Sequence, residues 1–226
     1  MTPHLSKQPP GVIFDLDGTL IDTLDDITDS INAVFEADGQ GPVPRERVRE
    51  LIGEGLRSLL EHASGIEDPQ QLAALVEGYG RVYLKRMLTR TRLYPGVAEL
   101  LNDLTRLDVP MSILSNKPEP FTVPICESLF TRWSFVGFHG SHDKQPRKPD
   151  PTQALALARR MGREPSNLFF VGDTTTDILT ARNAGMTSVA VTWGYRNRSQ
   201  LSLAEPEHWI DEPSQLATLL RRATQP

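Results

Sequence analysis

Residues 11–20 of the chain read GVIFDLDGTL, and this stretch decides the fold. Its first four residues are a short apolar run, which is the pattern of a strand buried in a sheet. Asp15 and Asp17 follow the run directly, two positions apart, and Gly18 and Thr19 come after them. Two aspartates directly after a buried strand contribute little to the stability of a fold. The pattern therefore predicts a functional site at the carboxyl end of the strand.

Short apolar runs recur along the chain and alternate with helical patterns. The further runs span residues 109–114, 134–138, 167–171, 187–191 and 208–210. Apolar residues at helical spacing predict helices between them, over residues 97–107, 152–161 and 177–184. Such alternation is typical of a parallel sheet that carries helices on both faces. We therefore predict an α/β fold with a doubly wound parallel sheet.

Residues 22–92 interrupt this alternation. The segment has no convincing strand pattern, and it carries three apolar stripes at helical spacing, which include Ile31, Leu56 and Val76. About seventy residues of helix are too many for a simple crossover between two strands. We predict that residues 22–92 form an inserted helical cap domain, and that residues 1–21 and 93–226 form the core domain.

Polar side chains follow the other predicted strands as well. Ser115 and Asn116 come after the second run, Lys148 precedes a Pro-Asp-Pro turn, and Asp173 follows the fourth run with Asp177 four positions later. Ligands of open α/β sheets bind beyond the carboxyl ends of the strands. Taken singly, each residue has an ordinary explanation as a helix cap, a turn or a surface lysine. Their order and placement together predict one shared site.

Three aspartates, Asp15, Asp17 and Asp173, are expected to crowd together at this site. Like charges at short distance raise the pKa values of carboxylates, and a cation relieves the conflict. Ligation by oxygen alone favours a hard ion such as Mg²⁺, which also binds a phosphate oxygen of the substrate. The neighbouring hydroxyl, amide and ammonium groups suit a phosphate dianion. The sequence thus predicts a Mg²⁺-dependent site for a phosphate ester.

These motifs resemble those of the haloacid dehalogenase-like hydrolase superfamily. The motifs that carry the resemblance are residues 15–20, 115–116, 148–149 and 172–177. They stand in the family's order, and a helical insertion follows the first of them. The resemblance implies that Asp15 attacks phosphorus and becomes an aspartyl-phosphate. It also implies that Asp17 protonates the leaving alcohol and then activates the water that hydrolyses the intermediate.

The same resemblance implies roles for the remaining residues of the site. The implied phosphate-binding residues are Thr19, Ser115 and Asn116. The implied metal ligands are Asp15, Asp17 through its backbone carbonyl, and Asp173. Thr19 would also orient Asp17, and Lys148 would pair with Asp15 and the phosphoryl oxygens. Asp177 would contact the residues that bind the metal or reach the metal through a water molecule.

An acid at position 17 narrows the reaction. Dehalogenases of this superfamily lack it because a halide leaves without a proton, and phosphonate-cleaving members lack it too. Phosphatases and phosphomutases both have it. The resemblance therefore implies a phosphatase for a small organic phosphate, since a cap over the crevice should exclude bulky protein substrates. A phosphosugar mutase and a non-catalytic phosphate-binding module stay open as alternatives.

The loop at residues 53–57 reads GEGLR and resembles the cap loop of phosphoglycolate phosphatases. The resemblance implies that Gly53, Glu54 and Arg57 lie over the active site and contact the substrate. Either Arg57 or Lys117 could meet a carboxylate of the substrate. The alternative is that the glycines only shape a turn and that Arg57 is an exposed helical residue.

Composition argues against several classes of function. The net charge is −5 and no block of Lys and Arg exists, so a nucleic-acid partner has no electrostatic basis. No apolar run approaches the ~20 residues of a membrane helix. The first ten residues lack the apolar core of a signal peptide, so a cytoplasmic location is expected. Cys126 is the single cysteine, which excludes an internal disulfide. We expect a monomer or homodimer.

Overall fold

A six-stranded parallel sheet lies at the centre of the computed structural model, which describes residues 9–224. The strands are β1 (Gly11–Phe14), β2 (Ile21–Asp22), β3 (Arg92–Leu93), β4 (Met111–Pro118), β5 (Gly137–Ser141), β6 (Leu168–Gly172), β7 (Thr187–Val191) and β8 (His208–Ile210). The central sheet has the order β5-β4-β1-β6-β7-β8, and every neighbouring pair in it is parallel. The predicted α/β fold is confirmed.

Helices cover the sheet and fill the insertion. They are α1 (Leu24–Ala37), α2 (Arg45–Leu51), α3 (Leu56–Ser64), α4 (Pro69–Arg86), α5 (Val97–Arg106), α6 (Glu119–Leu129), α7 (Thr152–Met161), α8 (Thr175–Ala184), α9 (Arg198–Ser202) and α10 (Ser214–Thr224). Three of them correspond to the predicted helices, although α8 begins two residues early because Thr174 caps it. Within residues 9–224, no helix combines the length and apolar character needed to cross a membrane.

Alternate residues of β1 pack into different cores because successive side chains of a strand point to opposite faces. Val12 and Phe14 belong to a core that continues into helices α1–α4. Ile13 packs instead with Leu157 of α7 and Ala181 of α8. The strand is buried on both faces, as expected for a parallel sheet with helices on each side. Its position between β4 and β6 places its carboxyl end at the middle of the sheet edge.

Two predicted strands have different bounds in the structure. The strand β4 extends to Pro118, so Ser115 and Asn116 lie within its last residues rather than after it. The strand β5 begins at Gly137, three residues later than predicted. Phe135 contributed to the apolar pattern there, but it lies in the loop before β5. The centre of its ring is 5.4 Å from those of Phe130 and Phe138. This apolar loop residue extended the sequence pattern of a buried strand, so the strand was predicted to begin too early.

The helices α1–α4 leave and rejoin the core through one short ribbon. The strands β2 and β3 pair in antiparallel fashion, with Asp22 opposite Arg92. In the part of the chain between these two strands, the apolar stripes of α1 and α4 are buried, as Phe35 and Tyr79 illustrate. The predicted boundaries of the cap run through this ribbon. Residues 1–8 of the predicted core domain lie outside the described residues.

Candidate active site

A cavity lies where the carboxyl ends of β1 and β4 meet the helical insertion. Its lining residues from the sheet side are Asp15, Asp17, Ser115, Asn116, Lys117, Pro118, Phe121, Lys148 and Thr174. Its lining residues from the insertion are Ile27, Ile52, Gly53, Gly55, Leu56, Leu59 and Tyr79. The cavity volume is about 50 Å³, whereas one water needs roughly 10–15 Å³ on the same measure. The cavity is therefore small in this structure, with room for only a few water-sized groups.

Asp15 and Lys148 form a buried ion pair at the end of β1. The ammonium of Lys148 donates to Oδ1 of Asp15 at 2.5 Å and to Oδ1 of Asp177 at 2.6 Å. Burial raises the pKa of Asp15 well above its ordinary value; Lys148 lowers it, and Asp177 and Asp173 raise it. Burial alone would lower the pKa of Lys148, but its two carboxylate partners hold that pKa above its usual value. Lys148 is therefore a cation fixed between two acids.

Asp173 lies at the end of β6 with none of its surface exposed. Its Oδ1 accepts a hydrogen bond from the hydroxyl of Thr19 at 3.1 Å, and its Oδ2 accepts one from the backbone N–H of Tyr195 at 2.8 Å. Burial, together with the charge of Asp177, raises the pKa of Asp173 to about 7. Oxygens of Asp15, Asp173 and Asp177 all lie within 4.8 Å of one another. This carboxylate cluster leaves excess negative charge beside a single ammonium group.

The chemistry of the carboxylate cluster fits a divalent cation. Its donors are buried oxygens, which hard ions such as Mg²⁺ prefer. Asp177 has the least freedom to bind a metal, because the backbone N–H and hydroxyl of Thr174 donate to its Oδ2 at 3.0 and 2.6 Å while Lys148 occupies its Oδ1. Asp15 and Asp173 are the members best placed to hold an ion.

The carboxylate of Asp17 does not belong to this cluster. Its oxygens accept hydrogen bonds from Nζ of Lys117 at 3.1 and 3.0 Å and from the hydroxyl of Thr23 at 2.7 Å. The expectation that the carboxylates of Asp15, Asp17 and Asp173 crowd together is therefore wrong for Asp17, whose place Asp177 takes. The metal role assigned to the backbone carbonyl of Asp17 stays a prediction. Lys117, one of the two residues considered as a partner for a substrate carboxylate, forms an ion pair with Asp17.

The first motif turns tightly after Leu16, and this turn directs the side chain of Asp17 away from the carboxylate cluster. The backbone oxygen of Leu16 accepts hydrogen bonds from the N–H groups of Thr19, Leu20 and Ile21 at 3.3, 3.0 and 3.1 Å. The hydroxyl of Thr19 donates to Asp173 rather than to Asp17, so the structure gives no direct support to the prediction that Thr19 orients Asp17. Thr23 donates to Asp17 instead. Thr19 does not line the cavity either, so the structure gives no support to a phosphate-binding role for it.

Ser115 and Asn116 line the cavity, but their side chains play different parts. The side chain of Asn116 accepts from the backbone N–H of Lys148 at 3.0 Å, and it donates to the backbone oxygens of Lys148 and Gly53 at 3.1 and 3.0 Å. It ties Lys148 to the loop at residues 53–57. The hydroxyl of Ser115 accepts from the backbone N–H of Lys117 at 3.2 Å, and its own proton can be donated to a phosphate oxygen.

The cap loop at residues 53–57 contributes backbone rather than charge to the cavity. Gly53 and Gly55 line it, and both have a positive φ, at 128° and 95°, which favours glycine. Glu54 accepts a hydrogen bond from the hydroxyl of Thr176 at 2.6 Å, so it joins the loop to α8. Arg57 is exposed on α3. Neither Glu54 nor Arg57 lines the cavity, and contact of either residue with the substrate stays a prediction.

Two arginines, which the sequence did not single out, bind the insertion to the core reciprocally. Arg196 of the core donates to three backbone oxygens at the end of α2, at 2.6 to 2.9 Å. Arg49 of α2 donates in return to the backbone oxygens of Tyr195 and Gly194, at 3.0 and 2.9 Å. We call this pair the arginine clasp. These bonds join the end of α2 to the loop that carries Gly194 and Tyr195.

Comparison with known proteins agrees with this geometry. The family model of the haloacid dehalogenase-like hydrolases matches residues 12–191. Phosphoglycolate phosphatase 1 of Pseudomonas aeruginosa is 33% identical over 216 residues, which cover 91% of this chain and 78% of that protein. The phosphoglycolate phosphatase of Chromobacterium violaceum is 34% identical over 202 residues, which cover 86% of this chain and 90% of that protein.

A solved structure extends the likeness to three dimensions. The crystal structure of a predicted phosphoglycolate phosphatase from Haemophilus somnus has a TM-score of 0.86 and 26% identity, and the match covers 94% of this chain and 98% of that chain. The family's matched region contains Asp15, Lys148 and the whole carboxylate cluster. The chain is therefore a phosphoric monoester hydrolase, and it belongs to the haloacid dehalogenase-like hydrolase family.

Proposed function

We propose that this enzyme hydrolyses a small organic phosphate, with phosphoglycolate or a close analogue as substrate, through a phosphoryl group carried by Asp15. The observation that carries the proposal is the buried carboxylate cluster around the ammonium of Lys148. A carboxylate beside a cation, at the wall of a small cavity, is arranged to attack a phosphorus atom that enters from that cavity.

Asp15 is the nucleophile in this proposal. Lys148 holds its Oδ1, which leaves Oδ2 for the attack on phosphorus. The ammonium of Lys148 also balances the charge that the phosphoryl oxygens carry in the transition state. The hydroxyl of Ser115 and the backbone amide of Asn116 bind the other phosphoryl oxygens, since both residues line the cavity next to Asp15. These groups are in place before substrate arrives, because all four residues are buried.

Mg²⁺ is the cofactor that the carboxylate cluster fits. Asp15, Asp173 and the backbone carbonyl of Asp17 would hold it, and Asp177 would keep Lys148 in place behind them. When bound, the ion neutralises the crowded carboxylates and lowers the charge repulsion that an incoming phosphate dianion meets. The hydroxyl of Thr19 and the backbone N–H of Tyr195 fix the orientation of Asp173 for this task.

Asp17 supplies and removes protons. As the bond from Asp15 to phosphorus forms, the bond from phosphorus to the leaving oxygen breaks, and Asp17 gives its proton to that oxygen. Asp17 then takes a proton from a water that attacks phosphorus and releases Asp15 and inorganic phosphate. Asp17 lines the same cavity as Asp15, and its oxygens accept hydrogen bonds from Lys117 and Thr23.

The insertion sets the size of the substrate. We propose that residues 22–92 act as a cap domain on a core formed by residues 9–21 and 93–224. Its apolar contributions to the cavity include Ile27, Leu56 and Leu59, and they exclude water from the reacting atoms. Relatives named phosphoglycolate phosphatases, together with the small cavity, support a substrate with few carbon atoms. A cytoplasmic location and a monomer or homodimer stay predictions.

A screen of phosphate release tests the proposed function. Purified protein is assayed with a panel of small phosphate esters that includes phosphoglycolate, with Mg²⁺ and with a chelator. We expect release of inorganic phosphate from two- or three-carbon esters, at least about 100-fold slower in chelator. Larger sugar phosphates should be poorer substrates. No release from any ester by metal-loaded protein would refute the proposal, and formation of an isomer without phosphate would favour a mutase.

A further inference from the structure

We propose that Tyr195 is a positioning residue for the acid–base carboxylate of Asp17 and that it acts through Thr23. This inference rests on the proposed function, because it concerns the group that transfers the proton. The three residues are joined by hydrogen bonds, although Tyr195 lies 172 positions after Thr23. Each of them is buried, with at most 7% of its surface exposed.

The hydrogen bonds in this chain have a fixed direction. The hydroxyl of Thr23 donates its only proton to Oδ1 of Asp17 at 2.7 Å. The contact of 3.1 Å between the hydroxyls of Thr23 and Tyr195 therefore requires Tyr195 to be the donor. Tyr195 in turn accepts from the backbone N–H of Thr23 at 2.9 Å, and its hydroxyl also donates a longer hydrogen bond to Oδ1 of Asp22 at 3.4 Å. Tyr195 thus holds Thr23 at two points.

The backbone of Tyr195 is fixed independently of its side chain. Its N–H donates to Oδ2 of Asp173, and its carbonyl accepts from the Arg49 side of the arginine clasp. A Cβ atom on the preceding residue, Gly194, would lie 2.3 Å from Cβ of Asp173, so the loop packs too closely for any other residue there. The backbone of Tyr195 is therefore held in place by Asp173, a proposed metal ligand, and by Arg49 of the insertion.

Thr23 is the last residue before α1, so the same contact ties Asp17 to the start of the first helix of the insertion. When the arginine clasp holds α2, Tyr195 and Thr23 keep the carboxylate of Asp17 turned to the cavity. Without the hydroxyl of Tyr195, the buried N–H of Thr23 lacks its acceptor and the hydroxyl of Thr23 loses its donor. We expect attack by Asp15 to slow when the leaving oxygen needs a proton from Asp17, and to be unaffected when the leaving group departs without one.

The variant Tyr195→Phe tests this positioning role, because it removes one hydroxyl and keeps the ring and the backbone contacts. Single-turnover formation of the phosphorylated enzyme is followed by rapid quench with two small substrates. Phosphoglycolate has an alkoxide leaving group that needs a proton from Asp17. Acetyl phosphate has an acetate leaving group that departs without one. We expect Tyr195→Phe to slow phosphorylation by phosphoglycolate about tenfold and to leave phosphorylation by acetyl phosphate within about twofold of wild type.

The matched control is Tyr83→Phe, because among residues 9–224 the hydroxyl of Tyr83 is buried without a hydrogen-bond partner. This variant should react with both substrates as wild type does. Thr23→Val should reproduce the selective loss of Tyr195→Phe. An equal loss with both substrates, or none with either, would overturn the proposal. If the proposed function itself fails, the wild-type protein is phosphorylated by neither substrate, which overturns this inference too.

Discussion

Nζ of Lys117 lies 3.1 and 3.0 Å from the two carboxylate oxygens of Asp17, and only 6% and 9% of their side chains are exposed. The pair joins β4 to the first motif across 100 positions of sequence. A buried carboxylate needs a counter-ion, and Lys117 provides one for the charged form of Asp17. That form is the one which accepts a proton from water when the phosphorylated enzyme is hydrolysed.

Removing Lys117 tests whether this pair serves catalysis. We expect Lys117→Met to lower kcat for phosphate release at least about tenfold, because the charged form of Asp17 would lie buried without its counter-ion. KM should change less, since Lys117 is committed to Asp17 rather than to substrate. Steady-state kinetics measure both quantities.

The control for this variant is Lys144→Met, which removes an exposed lysine from the loop near the site. It should behave as wild type. If Lys117→Met raised KM strongly and left kcat unchanged, Lys117 would bind the substrate after all, as the sequence had suggested.

The stabilisation by Mg²⁺ should depend on pH through Asp173. Its folded-state pKa of about 7 lies above the ordinary value of 3.8, so protonation stabilises the folded, metal-free protein at low pH. That stabilisation is lost as the pH rises from about 4 to about 7, because the buried group must then ionise. Mg²⁺ competes with the proton and should gain affinity over the same interval.

Thermal melting measures this effect directly. The rise in Tm on adding Mg²⁺ should be small near pH 5 and larger near pH 8, and Asp173→Asn should abolish it. An equal rise in Tm at both pH values would contradict the assignment of Asp173 as a ligand.

The arginine clasp should contribute to catalysis through closure of the insertion. Arg196→Ala removes three charge-assisted hydrogen bonds to the end of α2. We expect kcat/KM to fall roughly 3- to 10-fold, and backbone hydrogen exchange at residues 52–56 to become faster. Arg57→Ala is the matched comparison, because Arg57 is exposed and lies outside the cavity. A larger loss for Arg57→Ala than for Arg196→Ala would show that the sequence-based prediction for Arg57 was right.

The sequence pattern was sufficient to place a site residue wherever the residues next to it in the chain determine its position. Asp15 could be placed at the end of a buried strand because an apolar run leads directly into it. Asp173 could be placed likewise at the end of β6. The meeting of these two acids then follows from the pairing of parallel neighbours, since β1 and β6 lie side by side.

Contacts that depend on side-chain direction could not be predicted in the same way. Thr19 and Thr23 both follow the first motif, and only the tight turn at Leu16 decides which of them meets Asp17. Tyr195 and Thr23 are distant in the chain, and no local pattern pairs them. Arg49 precedes the cap loop and Arg57 stands at its end, and only Arg49, on α2, donates hydrogen bonds to backbone oxygens of the core.

The covalent phosphoryl group on Asp15 is tested most directly by acid quench during turnover of phosphoglycolate, followed by peptide mapping. We predict that the peptide containing residues 11–20 carries a phosphoryl group that hydroxylamine removes. Asp15→Asn should give no labelled peptide and no turnover while it keeps its fold, and the exposed-site control Asp150→Asn should be labelled as wild type. Rapid turnover without any labelled peptide, or a label on a different residue, would contradict the role of Asp15.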